Sequence, residues 1–191
     1  LSGCLEDKPQ ARSDLSFVAM LGGMASTNAK LGAAHGLASA LGGKLEAPHS
    51  VIAARLAPHV MMENIKAAQD AERHDVLSRY KKMAILLTGR VNAKREDGVL
   101  WANMMLDKLS LPTLSQFGVC STSFDVVAED ALKSVAIKGN PLPLTKQRLT
   151  YILQQVCNCN DDCLAEDSSE QSSARVVNSG LSDVEARLQN S

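Results

Sequence analysis

Apolar positions along this chain recur with the spacing of helices and almost nowhere with the alternation of strands. Leu15, Val18, Ala19 and Gly22 fall at i, i+3, i+4 and i+7, one stripe of a helix turned to a core, with Ser13 or Asp14 available as its cap. From about Asn28 to Leu41 the chain is small and apolar on nearly every side, which predicts a second helix buried all round that stops at Gly42-Gly43. Pro48 suits the first turn of a third helix through Val51, Ile52, Leu56, Val60 and Met61, and Pro58 inside it should introduce a bend. Leu77, Tyr80, Ala84 and Leu87 repeat the period up to Gly89, a natural C-terminal cap. Val99, Ala102, Met105, Leu106 and Leu109 repeat it again up to Pro112. Phe124, Val127, Ala128, Ala131, Leu132 and Val135 give the cleanest amphipathic pattern, with Ser121 or Thr122 as cap and Gly139 as end. Thr145 then caps a last stripe of Leu149, Ile152, Leu153 and Val156. The expected fold class is all-α, a bundle of about seven helices without a convincing strand.

Past Cys157 the composition turns to Asn, Asp, Ser, Glu and Gln. Too few apolar groups remain to offset the entropy of ordering the chain, so residues 158–191 are expected to be a disordered tail with a short helix near Leu181 to Leu188. Residues 11–157 then form the helical domain, and residues 1–10 read as a remnant linker. With 191 residues beginning at Leu1, the chain is expected to be a piece of a longer, two-domain protein.

Charge and cysteine content narrow the function classes. The 20 basic and 21 acidic residues nearly balance and no dense Lys/Arg run occurs, so nucleic acid and anionic membranes are poor candidate partners. No apolar run approaches the length of a membrane span, and the first thirty residues do not read as a signal peptide, so a cytoplasmic location is expected. Five cysteines do not suggest a disulfide framework: Cys4 and Cys120 stand alone, and Cys157, Cys159 and Cys163 crowd together beside Asp161 and Asp162. That C-x-C-x3-C run reads as tail thiols, because zinc sites favour a closed set of four ligands.

Chemistry concentrates between Gly22 and Val60. On a continuous second helix Asn28, Gly32, His35 and Ser39 would share one face, a polar stripe on an otherwise apolar surface. Burying an imidazole without a partner costs roughly 1–3 kcal/mol, so the stripe must face a network, water or an ion. His49 follows His35 by fourteen residues, past the glycine break and Pro48, which places it at the start of the next helix. A turn there could bring the two imidazoles to one divalent metal. Spacing alone leaves open that the two histidines are unrelated and separately satisfied. His59 and His74 read as surface or cleft-edge residues without a role.

The run Gly22-Gly23-Met24-Ala25-Ser26-Thr27-Asn28 through Leu31-Gly32-Ala33-Ala34-His35 to Leu41-Gly42-Gly43 resembles the G-M-A-F-S-N-x-x-L-G-x-x-H stretch of the iron-containing (group III) alcohol dehydrogenases. Pro48-His49-Ser50, Ala54-Arg55-Leu56-Ala57-Pro58-His59-Val60, Leu87-Thr88-Gly89, Glu96-Asp97-Gly98 and Lys138-Gly139-Asn140-Pro141 follow in that family's order, so the resemblance covers about residues 11–157. It implies the dehydroquinate synthase-like, all-helical C-terminal domain of a two-domain enzyme. It also implies that His35 and His49 are two of four protein ligands to Fe(2+) or Zn(2+). The other two, an Asp and a His four residues apart, would belong to a helix preceding Leu1. The glycine-rich segment gripping NAD or NADP would lie in an N-terminal dinucleotide-binding domain, the partner this chain lacks. The implied reaction is hydride transfer between a small alcohol or aldehyde and NAD(P), for which this chain alone is not expected to be competent.

Two positions depart from the family pattern. Ser39 stands where a second histidine near substrate and cofactor is common, and Ser26 replaces a frequent substrate-pocket aromatic. Ser39 is therefore the candidate catalytic position, with a hydroxyl that can hydrogen-bond but cannot exchange protons near neutral pH as imidazole does. A non-catalytic helical assembly module, and a relative of glycerol dehydrogenase or maleylacetate reductase type, stay open as alternatives. Lacking its partner domain, the chain is also expected to expose an apolar wall around Leu31, Ala34 and Ala38 and to self-associate, a homodimer included.

Overall fold

The computed structural model describes residues 6–157, and the expectations for the tail, Leu181 to Leu188 included, lie outside the described residues. Seven α-helices and three short 3-10 turns make up those residues, and none of them forms a strand. The helices are α1 (Pro9–Ala29), α2 (Ala33–Gly42), α3 (His49–Asp70), α4 (His74–Thr88), α5 (Arg95–Lys108), α6 (Phe124–Lys133) and α7 (Lys146–Cys157). The 3-10 turns run over Leu114–Phe117, Val119–Ser121 and Ala136–Gly139.

Helix α3 is the hub, packing against α2, α4, α5 and α7, while α2 also lies against α6 and the Ala136–Gly139 turn. The stripe expected on the last helix is the buried one: Leu149, Ile152 and Leu153 are fully enclosed and Val156 nearly so. Leu56, Ile52 and Leu37 are fully enclosed as well. Each such side chain contributes about 1.5–3 kcal/mol by leaving water. Gly89 ends α4 with a left-handed φ of 70°, as its position in the sequence suggests. Thr145 caps α7 through its hydroxyl, which accepts the Arg148 N–H at 3.3 Å.

Several boundaries differ from the sequence expectation. α1 starts at Pro9, inside the stretch read as linker, with Pro at its first position. It also runs on to Ala29, so Asn28 is not on the helix of His35. Lys30, at φ 61°, and the extended Gly32 break the chain between α1 and α2. The four-residue polar stripe therefore reduces to His35 and Ser39, and the Asn28 amide turns back to the Met24 carbonyl at 2.7 Å. α6 has Ser123 at its N-cap position, without a side-chain hydrogen bond, and stops at Lys133, because Ser134 is already extended.

α1 buries no residue. Leu15, Phe17, Val18, Met20, Leu21 and Met24 all face solvent along it, each more than 40% exposed. The wall expected around Leu31, Ala34 and Ala38 is misplaced: Ala38 is fully buried, and the uncovered apolar surface is that of α1. A continuous apolar pattern shows that a helix wants covering but not what covers it.

The cysteines need a second correction. Cys120 and Cys157, separated by 37 residues, form a disulfide that joins the second 3-10 turn to the last residue of α7. The Ser115 hydroxyl donates to the Cys157 carbonyl and fastens the same point. Sequence grouping put Cys157 with Cys159 and Cys163, whereas the fold returns the end of α7 to the Leu114–Ser121 segment.

Candidate metal centre

His35 lies in the first turn of α2 and His49 is the first residue of α3, so the Gly43–Pro48 link turns one helix start toward the other. The two imidazole rings sit with centroids 5.7 Å apart and planes inclined by 47°. His35 is half-buried and His49 exposed, so the pair opens on one side to solvent. Two imidazoles sharing a tetrahedral ion, with nitrogen–metal distances of about 2.0–2.1 Å, have centroids about 5–6 Å apart. The observed spacing fits that arrangement, and imidazole suits Fe(2+) and Zn(2+) alike. Among the described residues no third His, Cys, Asp or Glu groups with them as a ligand set. Two donors are half a coordination shell.

Ser39 follows His35 by one turn of α2 and is exposed. His59 is half-buried on α3, and its imidazole is held below the ordinary value near 6.5, first by burial and then by the neighbouring Arg55 charge. Arg55 itself donates to the Pro112 and Leu111 carbonyls and to Asp107, tying α3 to the end of α5. His74 is exposed at the start of α4.

The position of α2 is set by contacts that the sequence did not reveal. Asn140, just beyond the Ala136–Gly139 turn, accepts the Ala33 N–H at 3.1 Å through its side-chain oxygen. Ala33 opens α2 and Gly32 before it has no side chain, so a residue 107 positions away supplies the N-terminal cap. Asn140 donates in turn to Asn64 Oδ1 at 2.6 Å and to the Leu142 carbonyl at 2.7 Å. Asn64, 2% exposed, donates to the Tyr80 hydroxyl at 3.1 Å. Burial pushes the Tyr80 phenol above its usual range, so it stays protonated. The only sequence signal was the Gly139-Asn140-Pro141 run, to which spacing assigned no role.

The sequence profile described as "Fe-containing alcohol dehydrogenase family, C-terminal" matches residues 4–157. The chain belongs to the iron-containing alcohol dehydrogenase family. Alcohol dehydrogenase 4 of Saccharomyces cerevisiae is 29% identical over 147 residues, 76% of this chain and 37% of that protein. The 1,3-propanediol dehydrogenase of Klebsiella pneumoniae is 31% identical over 147 residues, again 76% of this chain and 37% of its own length. The NADPH-dependent butanol dehydrogenase of Clostridium saccharobutylicum is 30% identical over 159 residues, covering 79% of this chain and 39% of that protein. In solved structures the fold is similar to a 1,3-propanediol oxidoreductase (TM-score 0.62, 31% identity, 77% of this chain and 38% of that one) and to the alcohol dehydrogenase from Oenococcus oeni (TM-score 0.66, 29% identity, 77% and 38%). The chain thus spans less than two-fifths of the length of these relatives. It corresponds to the helical C-terminal part of the iron-containing alcohol dehydrogenases, and among the described residues no helix is long and apolar enough to cross a membrane.

Proposed function

We propose that this chain is the helical, metal-ligating part of an NAD(P)-dependent alcohol dehydrogenase acting on small alcohols and aldehydes, with His35 and His49 holding an Fe(2+) or Zn(2+) ion. The supporting observation is the ring pair: two imidazoles from different helices meet at a spacing suited to one metal ion. The relatives, a propanediol and a butanol dehydrogenase among them, support short alcohols as the substrate class. A bound divalent ion would supply Lewis acidity to the alcohol oxygen. This chain's own part is to hold two donors rigidly on packed helices and to present Ser39 beside them. The Ser39 hydroxyl can orient an oxygen through a hydrogen bond, but it cannot release a proton near neutral pH, so proton exchange falls to another group. NAD or NADP and the remaining ligands come from a dinucleotide-binding partner domain. That partner covers the apolar face of α1 around Phe17, Leu21 and Met24.

One observation favours a second reading, a non-catalytic assembly module: among the described residues the two histidines have no third ligand. Metal analysis separates the two. The chain joined to its dinucleotide-binding domain, supplied with Fe(2+) or Zn(2+), should retain stoichiometric metal and oxidise short alcohols with NAD(P) reduction. His35→Ala and His49→Ala should each abolish both. Metal retention unaffected by either substitution, or a joined protein that binds neither metal nor nucleotide, would reject the dehydrogenase reading.

A further inference from the structure

The two histidines are useful as a pair only if α2 is held at one angle to α3, and the helix that carries His35 has no capping side chain of its own. Three backbone features press its start against the segment after α6. Gly139 packs so closely on the Lys30–Leu31 backbone that a β-carbon there would overlap the Leu31 carbonyl oxygen. A β-carbon on Gly32 would sit 3.1 Å from Asn140 Oδ1, and one on Gly36 would sit 3.2 Å from Ile137. Asn140 then closes the joint through the Ala33 N–H.

The partner of Asn140 is Asn64, which stands on α3, the helix that begins at His49. From His49 to Asn64 is fifteen residues, about 22 Å of helix. α2 and α3 are therefore linked both where the rings meet and at a distant point along α3. Tyr80 extends the link to α4. Asn140 Oδ1 accepts from Ala33 and Asn64, and its amide nitrogen donates to Asn64 and Leu142, so every hydrogen-bonding position of this side chain is engaged.

We infer that Asn140, working through Asn64, is a positioning residue for the metal centre: it caps α2 from outside and sets the direction from which His35 meets His49. This inference rests on the metal-ligand reading of the pair, but its structural half does not need a metal. Residues that orient a metal ligand typically change metal affinity about 10–100-fold when removed. Asn140 touches neither ring; its effect passes through the backbone of α2.

The test uses the full 191-residue chain with two readouts: the ring-proton nuclear Overhauser contact between His35 and His49, and Zn(2+) affinity by competition titration. Asn140→Ala removes the cap and the Asn64 link together. Asn140→Asp keeps an oxygen for the Ala33 N–H but loses both amide donations, so it separates the cap from the link to Asn64. Leu149→Ala, in the core of α7 away from this joint, serves as a control of comparable loss of stability. Gly32→Ala pushes a methyl group on Asn140 Oδ1 while leaving Asn140 in place, and carries the test if Asn140→Ala does not fold. The expected result is loss of the ring contact and a Zn(2+) affinity at least about tenfold weaker in Asn140→Ala or Gly32→Ala, no recovery in Asn140→Asp, whose link to Asn64 is broken, and no change in Leu149→Ala. Unchanged ring contact in Asn140→Ala and Gly32→Ala, or an equal loss in Leu149→Ala, overturns the positioning role. A wild-type chain that shows the ring contact and its dependence on Asn140 but no Zn(2+) binding supports the positioning half, and the affinity comparison then moves to the chain joined to its dinucleotide-binding domain, where metal retention unaffected by His35→Ala and His49→Ala counts against the metal reading.

Discussion

Opening the Cys120–Cys157 bond should be the most costly single covalent change available to this domain. The bond closes a 37-residue loop containing α6, the Ala136–Gly139 turn, the Asn140 cap and all of α7. Releasing a loop of that length gives the unfolded chain about 3.8 kcal/mol of extra conformational freedom at 25 °C. For a domain of this size each kcal/mol moves the melting temperature by about 2–4 °C, so a fall of about 8–15 °C is expected. The assay is thermal unfolding with and without a phosphine reductant, alongside the Cys120→Ser, Cys157→Ser double variant. The double variant should melt at the reduced temperature and ignore the reductant. Peptide mapping after alkylation should recover Cys120 and Cys157 in one cross-linked fragment. Identical melting of the oxidised and reduced protein, or alkylation of both residues in protein never exposed to reductant, would refute the reasoning.

Other expectations follow from single residues. Arg148 donates to the buried Glu63 carboxylate at 3.1 Å, so Arg148→Met should destabilise by about 1.5–3 kcal/mol in urea titration, leaving Glu63 its ion pair with Lys66. Leu149→Ala removes a fully buried side chain at the junction of α7 with the core and should cost about 2–5 kcal/mol by the same measurement. His59 has a lowered folded-state pKa, so below about pH 6.5 the unfolded chain binds the extra proton and the folded one resists it. Stability should therefore fall as pH drops from that value toward the folded pKa, and His59→Gln should flatten that part of the melting-temperature profile; an unchanged profile would count against the assignment. Gly89→Ala forces a side chain into φ 70° and should cost about 1 kcal/mol or more in thermal melts.

The fold was largely legible because most of its helices carry periodic apolar residues with ordinary ends. Leu149, Ile152, Leu153 and Val156 occur at helical spacing and are all buried, and Gly89 ends its helix where a glycine should. What could not be read were the arrangements that depend on distant residues. The break at Lys30–Gly32 hides inside a run of small residues that pattern alone merges into one helix, and it detaches Asn28 from His35. The cap on α2 comes from Asn140, and the partner of Cys157 is Cys120; neither proximity leaves a local trace. The histidine pair was suggested by its fourteen-residue spacing and by family likeness, but only the turn between α2 and α3 sets the distance between the rings.

The bare surface of α1 has a consequence for where cooperative folding begins. A helix of twenty-one residues with no buried side chain lacks the tertiary packing that supplies most helical stability in proteins. Its amides should exchange rapidly, and a protease should trim the chain back toward Gly32, where the borrowed cap secures the next helix. Covering that surface would then do more than shield apolar groups: it would extend the ordered structure up to the histidines, so that docking and completion of the site become a single event.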